Sequence, residues 1–243
     1  MKGRVRKDGF KFIKAIGTEI ECGTDRDDQL RRIAEKYGAV KDYDGSVSVP
    51  AQYGCIELKR KWLVNRELRF LRGFAEEVFA VARQNHTCGN HFHVSLKNEA
   101  TSIMASERFM RLFIKAYKKA YAGNEKYIGR LKNRYCKGIV SSQRIALQLG
   151  WREGQRYTAI NAAAFPKHGT VEFRLMPHAD NATEYMSQAR FILKTVEAIL
   201  AKLHKIHEEK LTLRGISMVG LGTEVEVLVN EKVQKEEVIE CAS

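Results

Sequence analysis

The chain has 243 residues, 44% of them hydrophobic, which is enough for a core that folds by itself. Lys and Arg outnumber Asp and Glu to give a formal net charge of +13. They are spread among residues 2–14, 59–61 and 108–137, so the excess fits a solvated basic surface or a field that attracts anionic substrates, and singles out no nucleic-acid site. No apolar run reaches the roughly 18 residues that span a bilayer, and the basic start lacks a secretory pattern, which predicts a cytoplasmic protein with no membrane partner. Cys22, Cys55, Cys88, Cys136 and Cys241 form neither a C-x-x-C pair nor a closely spaced even set. Reduced, small apolar fillers are expected of them rather than a zinc ribbon or a disulfide framework. With three prolines, no Ser/Gly-rich linker and no solenoid repeat, one continuous domain is expected over residues 1–215, followed by a C-terminal strand and acidic tail over 216–243.

Strand-like alternation opens over residues 12–22. Leu30, Ile33, Ala34 and Tyr37 then recur at three-and-four spacing ahead of Gly38, a helix with its C-terminal cap. Alternation returns over 54–60, and Leu68, Leu71, Ala75, Val78, Phe79 and Ala82 predict a longer helix. Residues 91–96 alternate again. Ser106 can cap a helix bearing Phe109, Leu112, Phe113, Ala116 and Ala120. Strands are predicted over 156–163 and 170–176. Asn181, with Glu184 three residues on, caps a long helix carrying Tyr185, Ala189, Ile192, Leu193, Val196, Leu200 and Leu203. A weaker strand is expected over 223–230. Strands interleaved irregularly with helices predict an α+β domain, a largely antiparallel sheet with helices on one face.

What the other face carries follows from the two-residue period of a strand. In IGTEIECG, Ile16, Thr18 and Ile20 oppose Glu19 and Glu21; in GCIELKR, Ile56 and Leu58 oppose Glu57. In HFHVSL, Phe92, Val94 and Leu96 oppose His91 and His93; in TVEFRLM, Val171, Phe173 and Leu175 oppose Glu172 and Arg174. Antiparallel sheets often wet one side, so any single strand of this kind is unremarkable. A merely wet face tends to carry Thr, Lys, Ser and Gln, however, and like charges side by side are destabilising. Four carboxylates from three strands and two imidazoles from another need a compensating cation. Glu oxygens suit a hard divalent ion such as Mg²⁺, and a histidine shifts the preference toward Mn²⁺. Arg174 beside Glu172 suits a phosphate bridging the metals. Carboxylates, metal, arginine and phosphate together point to ATP-dependent chemistry. No P-loop and no G-x-G-x-x-G after a strand occurs, so the metals would have to hold the triphosphate.

These residues resemble those of a known family, the carboxylate–amine ligases of the glutamine synthetase and glutamate–cysteine ligase fold, most closely the amidoligase branch. The matching pieces are IGTEIE, DYDGSV followed by GCIELK, CGNHFHVSL, NRYC and RYTAINAAAFPKHGTVEFRL, in the family's order over about residues 16–178. The resemblance implies a curved antiparallel sheet forming a funnel, with nucleotide and substrates entering from different sides. It implies Glu19, Glu21, Glu57, His91 and Glu172 as metal ligands, His93 near nucleotide or substrate, and Arg174 on the transferred phosphoryl group. It further implies Arg134, Arg156 and Asn161 holding phosphate or substrate carboxylate, and Asp44 ordering a metal-bound water or the amine. The implied activity is amide formation through an acyl phosphate, with ATP and Mg²⁺ or Mn²⁺ as cofactors and a small-molecule or peptide carboxylate and amine as partners. Two other classes compete: a guanidino-kinase-like phosphotransferase, and a basic nucleic-acid-binding protein with a vestigial ligase site.

Smaller features carry plainer readings. Cys88 is expected in the core, not as a nucleophile. Glu224 and Glu226 repeat E-x-E without a histidine or arginine nearby. His204 and His207 sit on a solvated helix end, and Trp62 and Trp151 are expected to pack in the core or at its rim rather than on adenine.

Overall fold

The alternating segment at residues 12–22 forms the strand around which the sheet is built. The structure, a computed structural model, describes residues 9–45, 47–48, 50, 53–97, 101–150 and 156–213. Residues 1–8, Trp151, the strand expected over 223–230 with its Glu224 and Glu226, Cys241 and the acidic tail lie outside them. In chain order come β1 (Ile13–Thr24), α1 (Asp27–Tyr37), β2 (Val40–Tyr43), β3 (Gly54–Leu63), α2 (Leu68–Val81), β4 (Gly89–Leu96) and α3 (Thr101–Met104). Then follow α4 (Glu107–Ala120), α5 (Glu125–Arg130), α6 (Ser142–Leu149), β5 (Ile160–Asn161), α7 (Phe165–His168), β6 (Val171–Pro177) and α8 (Ala182–Leu213). Residues 1–200 form one compact unit and 201–243 another; of the second, the described part is the end of α8. No helix of the described residues is long and apolar enough to cross a membrane.

The fold is α+β, and its six strands lie in the order β2-β3-β1-β4-β6-β5 with every pairing antiparallel. The expected caps are in place. Gly38 closes α1 at φ 63°, a left-handed conformation that costs glycine no side-chain clash, and Ala39 N–H returns to Ala34 O at 2.7 Å. Ser106 Oγ accepts from Phe109 N–H at 3.2 Å, and Asn181 Oδ1 from Glu184 N–H at 3.0 Å.

The helices cover the face that carries Ile16, Ile20, Leu58, Trp62, Phe92, Val94, Phe173 and Leu175, all fully buried. Ring contacts join sheet to helix: Trp62 to Phe74 of α2 at 5.4 Å, Phe92 to Tyr185 of α8 at 5.5 Å, and Phe173 to Phe113 of α4 at 4.6 Å. Burying each such side chain stabilises the fold by roughly 1.5–3 kcal/mol. Trp62 is thus a core residue, with Nε1–H donating to Thr18 Oγ1 at 2.9 Å. The one polar side chain of β4 on this face, Asn90, is satisfied by Gln188, Gln84 and the Pro177 carbonyl.

The structure corrects one strand and adds one. Of the strand expected over 156–163, only Ile160 and Asn161 join the sheet. Thr158 instead bridges to Lys137 and turns its hydroxyl back to Ile160 O at 2.8 Å, while Ala159 N–H goes to Lys137 O. β2, too short and polar to read from periodicity, pairs with β3 as an edge strand. The described cysteines are free, and burial pushes the Cys88 thiol up to about 11, well away from a reactive thiolate.

Candidate metal centre on the polar face

Strand register, set by the apolar face, brings the ionisable residues of distant segments together. Glu19 of β1 lies opposite Lys59 of β3 and His91 of β4; Glu21 lies opposite Glu57. Glu172 of β6 lies between His93 of β4 and Asn161 of β5. Next to them Gly17 faces His93, whose Cβ would stand 3.1 Å from a Cβ at position 17, so a side chain there would crowd the imidazole.

His91 is the hub. Its Nδ1 is 3.2 Å from Glu19 Oε2 and 3.6 Å from Glu172 Oε1, and its Nε2 is 3.4 Å from Glu21 Oε1. His93 Nε2 stands 3.0 Å from Glu19 Oε1 but out of line for a hydrogen bond. Three groups fix the carboxylates from outside. Asn161 donates to Glu172 Oε2 at 2.7 Å, Arg174 Nη1 to Glu172 Oε1 at 2.5 Å, and Gly89 N–H to Glu21 Oε2 at 2.5 Å. Lys59 holds Glu57 at 2.7 Å and Asp42 of β2 at 3.1 Å.

A β-bulge aims Arg174. Between the pairs Asn90–Met176 and Phe92–Phe173, one residue of β4, His91, faces two of β6, Arg174 and Leu175. Released from the β4 ladder, Arg174 N–H goes to Ala159 O at 2.9 Å, and its carbonyl accepts from Cys136 Sγ and from Arg130 Nε.

The cluster is charged and dry. His91 is 2% exposed and Glu21 and Glu172 are each 5% exposed, so water cannot screen them well. Burial alone would raise Glu19, but the ring nitrogens of His91 and His93 outweigh it and hold its carboxyl far below the usual range. Burial likewise works against a charge on Glu172, yet Arg174 and the two histidines keep its carboxyl low. Burial opposes a charge on His93, and Glu19 and Glu172 overcome it and raise its basicity. Glu57 goes the other way. Burial, then the charge of Glu19, pushes it up to about 7 against the pull of Lys59, so near neutrality it shares its site with a proton.

Two sets of three donors lie within metal-ligating reach: Glu19, His91 and Glu172, and Glu21, Glu57 and His91, each with ligand atoms inside 4.8 Å of one another. Hard carboxylate oxygens with one imidazole suit Mg²⁺ or Mn²⁺. His91 Nε2 and His93 Nε2 are buried without an aligned hydrogen bond, though each lies within ion-pair distance of a carboxylate, Glu21 at 3.4 Å and Glu19 at 3.0 Å. These residues fit a divalent ion. A neutral imidazole has one lone pair, so His91 can ligate in only one of the two sets, leaving the other a carboxylate pair.

Of the residues expected at the site, Glu19, Glu21, Glu57, His91, His93, Asn161, Glu172 and Arg174 converge. Asn161 does so as an anchor for Glu172. Arg134 and Arg156 do not: both are exposed, their guanidiniums over the rings of Tyr135 at 4.6 Å and Tyr157 at 5.2 Å. Asp44, half-buried just past β2, belongs to neither donor set. Lys59 and Arg130 were missed. Lys59 was legible, being two residues from Glu57 on the same strand; Arg130, on a short helix, carries no periodic signal.

Beyond Glu19 the same face opens into a groove of about 420 Å³. Ala15 and Gly17 form its floor, and Lys59, Lys61, His93, Ser95, His168 and Thr170 stand around it, giving it a cationic rim. No family model, curated protein or solved structure matches the chain.

Proposed function

We propose that this chain is an ATP-dependent carboxylate–amine ligase with a glutamine synthetase-like sheet, acting on an amino acid, peptide or related metabolite. One observation carries the reading: two carboxylate sets meet at His91 on a buried sheet face, with two imidazole nitrogens lacking an aligned hydrogen bond and Arg174 alongside. Carboxylates this close are costly unless cations offset them, which supports a bound metal beside Arg174 and Lys59.

Glu21, Glu57 and, through Nε2, His91 would hold one divalent ion, and Glu19 with Glu172 a second. Bound there, the ions neutralise the triphosphate as charge moves toward ADP. The protein's own groups do the rest. The groove admits the nucleotide, with Lys61 and His168 at its rim and His93 beside the phosphates. Arg174, held in place by Glu172 and by Nε–H to Tyr135 O at 3.4 Å, meets the transferred phosphoryl group with its remaining N–H groups. A carboxylate is a poor acyl donor because attack on it must expel oxide. Its oxygen therefore takes the γ-phosphoryl group, ADP leaves, and the mixed anhydride offers phosphate as leaving group. The amine attacks the acyl carbon, a carboxylate takes its proton, and phosphate departs to leave the amide.

The decisive experiment measures ADP release with purified protein, Mg²⁺ or Mn²⁺, ATP and panels of carboxylates and amines. ADP should form only when metal and a carboxylate are both present. Glu19→Gln and Glu172→Gln should each lower turnover at least a thousandfold with the circular dichroism of the fold unchanged. Wild-type activity in either folded variant would remove the reading. A stable phosphorylated product without amide would transfer the site to a phosphotransferase of the guanidino-kinase kind.

A further inference from the structure

One charged side chain, that of Arg130, borders the candidate metal centre without contributing a donor to it. Arg130 ends α5, is 9% exposed, and lies over the polar face of the sheet at the start of β4. Its contacts are those of a neutral group: Nε–H toward the Arg174 carbonyl at 3.5 Å, and the Cys136 thiol. Among the described residues it forms no ion pair, whereas Arg174 beside it is neutralised by Glu172 at 2.5 Å. A guanidinium on so little-exposed a residue, with no ion pair, is costly to keep. A Cβ at position 89 would stand 2.0 Å from Arg130 Nη2 and 2.9 Å from its Cζ, so residue 89 must be glycine for the guanidinium to lie there. Gly89 has no positive φ that would give it another reason.

The same point fixes what the guanidinium faces. The missing Cβ would also be 3.2 Å from His91 Nε2, the buried nitrogen that lacks an aligned hydrogen bond, and Gly89 N–H holds Glu21 Oε2. Arg130 therefore borders the candidate metal centre. An ion held by Glu21 and Glu57 is neutralised by them, which leaves Arg130 without a counter-charge and the ion with open coordination positions; an oxyanion between them would serve both. The planar fork of arginine matches two oxygens of one carboxylate or phosphate.

We infer that Arg130 is a ligand-binding residue that takes an oxyanion at the Gly89 end of the face, and that this oxyanion is the carboxylate of the acyl substrate. The anion site stands on the geometry; its assignment to the acyl substrate rests on the ligase reading. The direction along the strands supports that assignment. The groove given to the nucleotide lies at the Gly17 and Ser95 end, while Gly89 and Glu21 mark the opposite end, so the two reactants approach the metals from opposite sides.

Inorganic phosphate is the probe. It is titrated into the full chain with and without Mn²⁺, in wild type and in Arg130→Met, Arg130→Lys and Gly89→Ala, and Mn²⁺ affinity is measured separately by electron paramagnetic resonance. Phosphate affinity should fall at least tenfold in Arg130→Met and Gly89→Ala and less in Arg130→Lys, with Mn²⁺ affinity of the Arg130 variants within threefold of wild type. Gly89→Ala needs only the end of a flexible side chain to move, so it keeps the test open should Arg130→Met fail to fold. Unchanged phosphate affinity in the folded variants, or no phosphate binding to wild type, overturns the anion site while leaving the metal centre intact. If wild type binds no Mn²⁺, the ligase reading fails, and Arg130-dependent phosphate binding to the metal-free chain still reads out the anion site. Small dicarboxylates should displace the phosphate. Displacement by a non-hydrolysable ATP analogue alone would overturn the assignment to the acyl substrate.

Discussion

The two faces of β4 are built from alternate residues of one eight-residue strand, yet they are solved differently. Phe92, Val94 and Leu96 pack into the apolar core, Phe92 against the ring of Tyr185 at 5.5 Å. His91 is as deeply buried, but its Nε2 has no aligned hydrogen bond, and it sits among carboxylates that repel one another. Equal burial therefore does not mean equal completion. On the proposed function, the second face is completed by a bound cation.

The comparison can be broken in order of expected effect. Phe92→Ala removes a ring from the completed face and should cost about 3–5 kcal/mol of stability by urea denaturation. Mn²⁺ affinity of the protein that remains folded should change little; a loss of affinity as large as the loss of stability would show the faces to be one unit. A saturating ion acts only on the unfinished face. At a free concentration one hundred times its Kd, Mn²⁺ should stabilise the chain by about 2.7 kcal/mol, and a chelator should remove all of it. An unchanged unfolding midpoint would exclude a specific metal centre.

Glu57→Gln separates proton from metal. The folded carboxyl titrates near 7, above its ordinary 4.5, so the native state holds a proton that the unfolded chain has released. Its contribution to stability is complete below pH 4.5 and is lost as pH rises through about 7. Glu19 and Glu172, both lowered, contribute in the opposite sense: their stabilisation is present above about 4.5 and disappears as pH falls below it. Metal-free wild type should therefore lose about 2 kcal/mol relative to Glu57→Gln between pH 5 and pH 8, read from paired denaturation curves. In the same window Mn²⁺ affinity of wild type should rise with pH, with a proton released on binding, measurable by calorimetry in buffers of different ionisation enthalpy. A pH-independent affinity would take Glu57 out of the ligand set. The smallest effect is expected from Gly17→Ala, where the new methyl presses on His93 at 3.1 Å. About 1 kcal/mol or less of stability should be lost, and the groove should bind nucleotide more weakly.

Much of this division was legible before any coordinates. The two-residue period assigned the alternating apolar and ionisable side chains of β1, β3, β4 and β6 to opposite faces, because a strand with one buried side cannot slip by one residue without exposing its apolar set. Hence Glu19, Glu21, Glu57, His91 and Glu172 could be expected together. What was not legible came from short or irregular backbone. β5 contributes two residues, too few for a period, and the contact of Asn161 with Glu172 follows only from the pairing of β5 with β6. The bulge at Arg174 depends on pairing with β4, which a strand's own sequence does not state. Arg130 reaches the face from a six-residue helix, too short to carry a period, while Arg134 of NRYC is exposed. The size of the gap at Gly89 belongs to three dimensions alone.

The ends of the sheet carry a last consequence. Both outer strands are short, β2 with four residues and β5 with two, and β2 is flanked by the ion pairs Lys41–Asp27 and Lys59–Asp42. Neither offers the long, flat row of amides and carbonyls on which a neighbouring molecule could lay down another strand. Strand addition onto β2 and β5 is thus discouraged at both margins.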